Sequence, residues 1–396
     1  MKTIKCSFCG TPNSQVKKII TGGVNKQVAI CDECANAIHE ILMSSLQEDE
    51  ENNDQSKVYK PSDIKKYLDQ YVIAQDIPKR KVAVAVYNHF KQNRYNETKS
   101  DKKEPLDGTN ILVLGASGSG KTLIFKTIAK MLSTIFVHVD CSALTETGYV
   151  GRDVDSILAE AVKQANGDID LAQKAIIFLD EFDKLARKSG AENSATKDVG
   201  GESVQQGMLK ILEGTEMSIS LSNKKNILSE NVVTIDTSNM LFVLNGAFEG
   251  LDKIIAQRLN KKSIGFGENH KQYQKDELLK HVNSQDLINF GILPEVVARA
   301  PSVIVLDALT KNDLIRILTE PKNAIVKQYI ELFKMDNVQL TFKTNALKKI
   351  AKESISKKLN ARGLRAILDS ILSPLMFDIP NRTDVKEVII SDELKG

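Results

Sequence analysis

The run Gly115-Ala116-Ser117-Gly118-Ser119-Gly120-Lys121-Thr122 follows four apolar residues, Ile111 to Leu114. A helical pattern through Leu123, Ile124, Ile128 and Met131 comes after it. Strand, G-x-x-x-x-G-K-T loop and helix together make the context of a phosphate-binding P-loop. Glycines let backbone N–H groups turn inward around phosphates, and the helix N-terminus adds its positive dipole end. Lys121 is expected to reach β- and γ-phosphates, and the Thr122 hydroxyl to bind Mg²⁺. Farther on, the apolar strand Ala175 to Leu179 ends in Asp180-Glu181, a Walker B arrangement. Asp180 would hold Mg²⁺, directly or through water, and Glu181 would polarise the attacking water as general base. Two acids after a strand are common by chance, and the upstream P-loop gives this pair its weight.

A second constellation lies near the N-terminus. Cys6-Ser-Phe-Cys9 and Cys31-Asp-Glu-Cys34 give two C-x₂-C pairs about 20 residues apart, the spacing of a zinc site. Each pair can place two thiolates on one knuckle, so Cys6, Cys9, Cys31 and Cys34 can close a tetrahedral Zn²⁺ site with no open position. A redox dithiol pair is the competing reading, but it would sit in a βαβ unit, and none is visible here. Cys141 has no cysteine near it in sequence and reads as a small buried hydrophobe.

These groups need elements to position them. At 396 residues the chain should hold two to three domains. Its 42% hydrophobic and 27% charged residues suit a globular protein, and a net charge of +3 gives no argument for nucleic acid. No apolar run is long enough to span a bilayer, and Met1 to Cys6 lacks an apolar signal-peptide region, so the expected setting is the cytoplasm. Residues 1–46 read as a zinc module, with strands at 16–20 and 28–30 and a helix through Ala37, Ile38, Ile41 and Leu42. Residues 47–60 read as an acidic linker, and 61–308 as an α/β ATPase domain with a parallel sheet flanked by helices. Residues 309–313 read as a hinge, and 314–396 as a small α+β domain. Within the large part, 134–139, 240–244 and 303–306 are further strands, while 218–234 is polar in its middle. Tyr149 and Val150 lie in a glycine-flanked loop, either an ordinary turn or a mobile loop displaying one large side chain. Ile264, Gly265 and Phe266 lie in a charge-rich loop, either tucked into the surface or kept outside for a partner.

The ordered set of motifs resembles the ClpX family of AAA+ unfoldases over almost the full length. Besides the runs above, it includes T-G-Y-V-G at Thr147 to Gly151, L-D-E-F-D-K at Leu179 to Lys184 and K-D-V-G-G-E-S-V-Q-Q at Lys197 to Gln206. It continues with L-D-K-I-I at Leu251 to Ile255, I-G-F-G at Ile264 to Gly267, E-P-K-N-A at Glu320 to Ala324 and A-R-G-L-R at Ala361 to Arg365. The resemblance implies a homohexameric ring that binds ATP, Mg²⁺ and Zn²⁺, unfolds tagged or unfolded proteins and threads them into a ClpP-type peptidase. It implies that Arg299 is an arginine finger, Arg362 a sensor-2 arginine, and Val72, Ile73 and Leu309 the adenine pocket. The nucleotide-contacting run would extend from Gly115 to Leu123. Tyr149 and Val150 would grip substrate, and Ile264, Gly265 and Phe266 would dock the peptidase. Pairing of zinc modules between chains is also expected.

Some positions depart from the family pattern. Ala116 stands for the usual Pro and Ala74 for the usual Gly, both acceptable at negative φ. Val-Ala-Arg299-Ala-Pro stands where Gly-Arg-Leu-Pro is usual, and Asn223-Lys-Lys-Asn226 replaces an Arg-Lys-His loop used in substrate choice. The alternative function is a nucleic-acid-acting AAA+ ATPase gripping DNA through the zinc knuckle. Against it, Lys17 and Lys18 are balanced by Asp32, Glu33 and Glu40, and Phe8 is the knuckle's one aromatic. A stand-alone chaperone without peptidase is a further possibility.

Overall fold

The computed structural model describes residues 4–22, 28–38, 59–97, 104, 106, 108–144, 154–186, 201–221, 231–261, 275–357, 359–382 and 384–391. The chain divides into two compact units, Met1–Val58 and Tyr59–Gly396.

In the first unit, β1 (Ile19–Gly22) and β2 (Val28–Cys31) pair antiparallel. Gly22 pairs with Val28, so it belongs to the strand, and β1 lies later than residues 16–20. Residues 32–38 are helical. Ser7 N–H donates to the Ala29 carbonyl at 2.7 Å, and Ala29 N–H donates to Ser7 Oγ at 3.0 Å. The first cysteine knuckle is thereby sewn to β2. Ile41 and Leu42 lie outside the described residues.

The second unit opens with α1 (Pro61–Asp69) and α2 (Asp76–Glu97). Pro61 occupies the first turn of α1, where its missing N–H costs nothing. Asp63, at the third position, accepts Lys60 N–H at 3.3 Å. Next come β3 (Ile111–Leu114), α3 (Lys121–Met131), β4 (Phe136–Asp140), α4 (Asp155–Gln164), β5 (Ile176–Asp180) and α5 (Gly201–Leu212). Then follow β6 (Glu216–Leu221), β7 (Asn231–Asp236), β8 (Leu241–Gly246), α6 (Leu251–Lys261), α7 (Ser284–Phe290), α8 (Pro294–Arg299) and β9 (Ser302–Val305). Five strands form a wholly parallel sheet in the order β4-β5-β8-β3-β9. Its central strands are buried on both faces, which is why β3 reads ILVL and β8 begins LFVL without alternation. One face packs Phe125, Ile128 and Val86, and the other packs Leu158, Met208 and Ile255.

The stretch 218–234 contains more structure than its polar middle suggests. β6 and β7 form an antiparallel hairpin in which Ile219 and Ile235 are buried while Val232 is exposed. The apolar residues of M-S-I-S-L alternate, and Val233 and Ile235 continue the inward side in β7, a half-buried period that the exposed Val232 and the intervening N-K-K-N run obscure.

The chain ends in α9 (Lys311–Thr319), α10 (Ile325–Met335), β10 (Gln339–Phe342), α11 (Thr344–Ser356), α12 (Ala361–Asp378) and β11 (Glu387–Ile390). β10 and β11 pair in parallel, and a separate core forms around Leu314, Phe333, Ile350 and Leu368. Residues 311–313, read from the sequence as hinge, form the first turn of α9. Thr310 and Asp313 make a reciprocal capping box, with Asp313 Oδ2 accepting Thr310 N–H at 2.9 Å and Thr310 Oγ1 accepting Asp313 N–H at 3.2 Å.

Two buried polar side chains tie α2 to the chain that enters β8. His89 Nε2 donates to the Asn239 carbonyl at 3.1 Å, and Asn93 Nδ2 donates to the same carbonyl at 2.8 Å. Asn239 lies two residues before β8. Burial brings the His89 imidazole down to about 4, against a smaller opposing pull from that carbonyl. The unfolded chain therefore binds a proton between about pH 6.5 and 4 that the folded chain refuses, and stability falls as pH drops through this window. In urea titrations across it, the wild type should lose stability faster than His89→Gln, by up to about 1.4 kcal/mol per pH unit. Parallel slopes would show that His89 does not carry the effect.

Candidate functional site

The P-loop joins β3 to α3. Gly120 caps α3 at φ 101° and Gly118 lies at φ 78°, both in the left-handed region that favours glycine. A Cβ on Gly118 would also lie 3.1 Å from Asn360 Cβ and 3.2 Å from the Leu359 carbonyl, so the small subdomain closes on this loop. Asn360 Nδ2 donates to the Ser117 carbonyl at 3.1 Å. Ala116 is not among the positive-φ residues, as its substitution for Pro requires. Lys121 is buried and donates to the Ala116 carbonyl at 3.0 Å and to the Gly115 carbonyl. Burial draws its ammonium down to about 8, Arg362 adds to this, and Asp180 and Asp183 oppose it. Arg362 thus lies close enough to act on the Lys121 charge.

Asp180 ends β5, two strand positions from β3, a gap of about 10 Å. Its Oδ1 accepts Glu181 N–H at 3.0 Å and the Asn245 amide, and its Oδ2 faces His138 Nε2 at 3.1 Å. Asn245 lies near the end of β8, the strand between β3 and β5. Glu181 is exposed at φ 55°, a left-handed conformation that costs a non-glycine residue roughly 1–2 kcal/mol. Asp183 Oδ2 accepts Phe248 N–H at 3.2 Å and so holds the chain that leaves β8. Ser119 Oγ and Asn245 Oδ1 are buried without a hydrogen-bond partner among the described residues. Inward-turned backbone, a buried ammonium, a paired carboxylate and two orphaned polar atoms fit a polyphosphate with a divalent cation.

Not every expected residue gathers here. Arg299 ends α8, and its carbonyl accepts from Asn110, the residue before β3. It therefore sits at the N-terminal edge of the sheet, opposite the P-loop, where it pairs with Glu213 at 3.2 Å. Leu309 packs against the small-subdomain core. Val72 and Ile73 are buried and line a cleft of about 450 Å³ together with Lys79, Arg316, Glu320 and Lys322. Tyr149, Val150, Ile264, Gly265 and Phe266 lie outside the described residues.

The sequence also left four residues of the site unassigned: Asn245, His138, Asn360 and Gln75. Gln75 is buried, donates to the Asp307 carbonyl at 2.7 Å and to the Ser119 carbonyl at 3.4 Å, and accepts Asp307 N–H at 2.9 Å. A polar residue ending an otherwise apolar parallel strand was the signal available for Asn245. Just before Gln75, Ala74 takes φ 55°, against the negative φ that its exchange for glycine called for. Because Gln75 must turn inward to reach Asp307, the backbone at 74 and 75 is left-handed at both positions. Ala74→Gly should raise stability by about 0.5–1 kcal/mol, relieved strain exceeding the added chain entropy. A urea midpoint equal to or below that of wild type would show that the strain is not felt.

In the first unit, the sulfurs of Cys6, Cys9, Cys31 and Cys34 all lie within 4.8 Å of one another. Cys9 and Cys31 sulfurs are 3.7 Å apart, against about 3.8 Å for the edge of a tetrahedron with Zn–S bonds of about 2.3 Å. Cys31 N–H points at Cys6 Sγ at 3.3 Å, and Cys34 N–H at Cys31 Sγ at 3.4 Å. Backbone N–H groups lower the Cys6 thiol to about 6, whereas the neighbouring Cys31 and Cys9 thiols push Cys34 up to about 12. Four thiolates this close need a divalent cation among them, and the geometry fits zinc. Cys6→Ser should remove stoichiometric zinc, worth about 10–16 kcal/mol of folding energy, and unfold this unit while leaving basal ATPase near normal. Absence of zinc from wild-type protein purified without chelator would refute the site.

Comparison with known proteins agrees with both sites. Residues 4–44 match the ClpX C4-type zinc finger, 107–303 the AAA domain (Cdc48 subfamily), and 309–390 the C-terminal D2-small domain of ClpB protein. The chain is similar to the ATP-dependent Clp protease ATP-binding subunit ClpX of Bacteroides thetaiotaomicron, 41% identical over 99% of this chain and 95% of the relative. It is 42% identical to the ClpX subunits of Treponema denticola, over 99% of this chain and 94% of the relative, and of Borrelia duttonii, over 98% and 90%. No helix among the described residues is long and apolar enough to cross a membrane. With four clustered thiols, a P-loop set against Asp180 and Glu181, and this identity along nearly its whole length, the chain belongs to the ClpX family of zinc-containing AAA+ ATPases.

Proposed function

We propose that the chain is the ATP-driven unfoldase of a two-component cytoplasmic protease, working as a homohexameric ring that feeds proteins to a ClpP-type peptidase. The observation that carries this reading is the division of arginines. Arg362 follows Asn360 and Ala361, which meet the P-loop at Ser117 and Gly118, while Arg299 sits at the opposite edge of the sheet. A site with one arginine in place and another facing away suits a ring in which each chain completes its neighbour's site. Arginine suits both duties because its planar fork binds phosphate oxygens bidentately.

In this reading Lys121 and the P-loop N–H groups hold the phosphates, and Thr122 and Asp180 hold Mg²⁺. The cation, when bound, neutralises charge on the phosphate oxygens. Glu181 takes the proton of the attacking water. Asn245 keeps Asp180 in place with its amide and offers its free oxygen to the attacking water. Val72 and Ile73 receive the base, Tyr149 and Val150 grip substrate, and Ile264, Gly265 and Phe266 dock the peptidase. Several weak loops acting from one ring add avidity. Zinc modules pair between chains. Asn223 to Asn226 lack the family's Arg-Lys-His, so tag preference differs from that of relatives which carry it.

The test measures ATP-fuelled degradation of a tagged substrate with a ClpP-type peptidase, beside ATPase activity with added unfolded protein or DNA. Unfolded protein, and not DNA, should stimulate hydrolysis. Glu181→Gln should lower hydrolysis by roughly 10²–10⁴ with nucleotide binding retained. Phe266→Ala should abolish degradation while sparing ATPase and unfolding. Stimulation by DNA alone would favour a nucleic-acid motor, and degradation undiminished in Phe266→Ala would remove the docking role.

A further inference from the structure

β4 carries an imidazole to the Walker B carboxylate. The β4–β5 register pairs His138 with Phe178 and Asp140 with Asp180, so His138, Phe178 and Asp180 share one face of the sheet. The His138 ring lies on Phe178 with centroids 5.7 Å apart and planes 21° from parallel. Phe125 and Phe136, each at 5.8 Å, hold Phe178 in turn. From this seat Nε2 reaches Asp180 Oδ2 at 3.1 Å. A carboxylate oxygen accepts, so Nε2 carries the hydrogen. The other oxygen, Oδ1, is taken by Glu181 N–H and Asn245. A carboxylate held at one oxygen still rocks about its broad terminal torsion. The third donor, on the second oxygen, removes that freedom.

We propose that His138 is a positioning residue that fixes the Asp180 carboxylate for the divalent cation bound with nucleotide. The proposal rests on the role of Asp180 given above. The His138 side chain is nearly half exposed, so it meets the carboxylate from the solvent side and its loss should not undo the core. A histidine that merely covers Phe178 would be replaced without effect by another ring. One that orients Asp180 would be replaced by another donor of the same reach.

The experiment uses the full chain, a non-hydrolysed ATP analogue and Mn²⁺ followed by electron paramagnetic resonance. His138→Phe keeps the ring on Phe178 and lacks the donor, whereas His138→Gln keeps an N–H of similar reach. The Phe variant should need roughly tenfold more Mn²⁺ for half-saturation, the low end of what outer partners of a metal ligand are worth. The Gln variant should return to within about twofold of wild type, a residual well under 1 kcal/mol. Affinity for the analogue in chelator should be unchanged in both, and KM for Mg-ATP should rise more than kcat falls. Wild-type Mn²⁺ affinity in the Phe variant, no recovery in the Gln variant, or loss of metal-free nucleotide binding in either would overturn the proposal. Asp180→Asn, measured alongside, separates the two claims. If it leaves Mn²⁺ affinity unchanged, the reading of Asp180 falls. If it weakens Mn²⁺ and His138→Phe does not, only the role of His138 falls.

Discussion

A parallel sheet buried on both faces leaves polar side chains few places to emerge, chiefly the strand ends. Much of the ATPase site obeys that constraint. β3, β5 and β8 run as apolar tetrads, and each meets its chemistry where the apolar run ends: the P-loop after Leu114, Asp180 after Leu179, and the buried Asn245 after Leu244. Because the strands are parallel, these ends lie at one edge, and ligands gather where neighbouring strands part. The opposite edge receives Asn110, which donates to the carbonyls of both Leu212 and Arg299. The two edges thus separate Lys121 from Arg299.

That constraint explains what could be read without coordinates. Continuous apolar runs bounded by glycine or acid are visible in sequence, and so the P-loop, the Asp180-Glu181 strand and the parallel sheet were legible. Four cysteines at zinc spacing were legible for a different reason, since a thiolate set has few other uses. Contacts between residues far apart in sequence were not legible. His138 lies in an ordinary strand pattern, and nothing near it points to a carboxylate 42 positions on. Gln75 reaches a backbone 232 positions away. The condition set for Ala74, a negative φ, is not met; its left-handed backbone adjoins Gln75, whose long-range bonds to Asp307 no local pattern shows. The β6–β7 hairpin was hidden by a polar run between two short alternating strands. The start of α9, by contrast, carries a T-x-x-D box that a stricter search for caps would have found.

The two units stay folded by different means. The second has three apolar cores, two of them on the faces of its sheet and one in the small subdomain. The described residues of the first show a hairpin of two four-residue strands, a short helix and a knuckle sewn to the hairpin by Ser7. Below about 40 residues a core alone seldom suffices, which is where metals usually enter. Beside its neighbours Cys34 resists ionisation, so a cation is what would let all four sulfurs act together as ligands. The cation is therefore as much a folding partner as a ligand.

The Gln75 amide and the Thr310 capping box bracket the strip of chain between the sheet and the last subdomain. Asp307 is pinned through both its N–H and its carbonyl, and Thr310 is pinned through its own N–H. Between them stand Ala308 and Leu309, with about four soft dihedrals. A joint with so few torsions behaves as an axle rather than a tether. Since the Gln75 amide also touches the Ser119 carbonyl, the axle is bolted to the P-loop at its fixed end. The P-loop and the last subdomain are therefore joined by hydrogen bonds on either side of a two-residue strip, one of whose members, Leu309, packs into the last core.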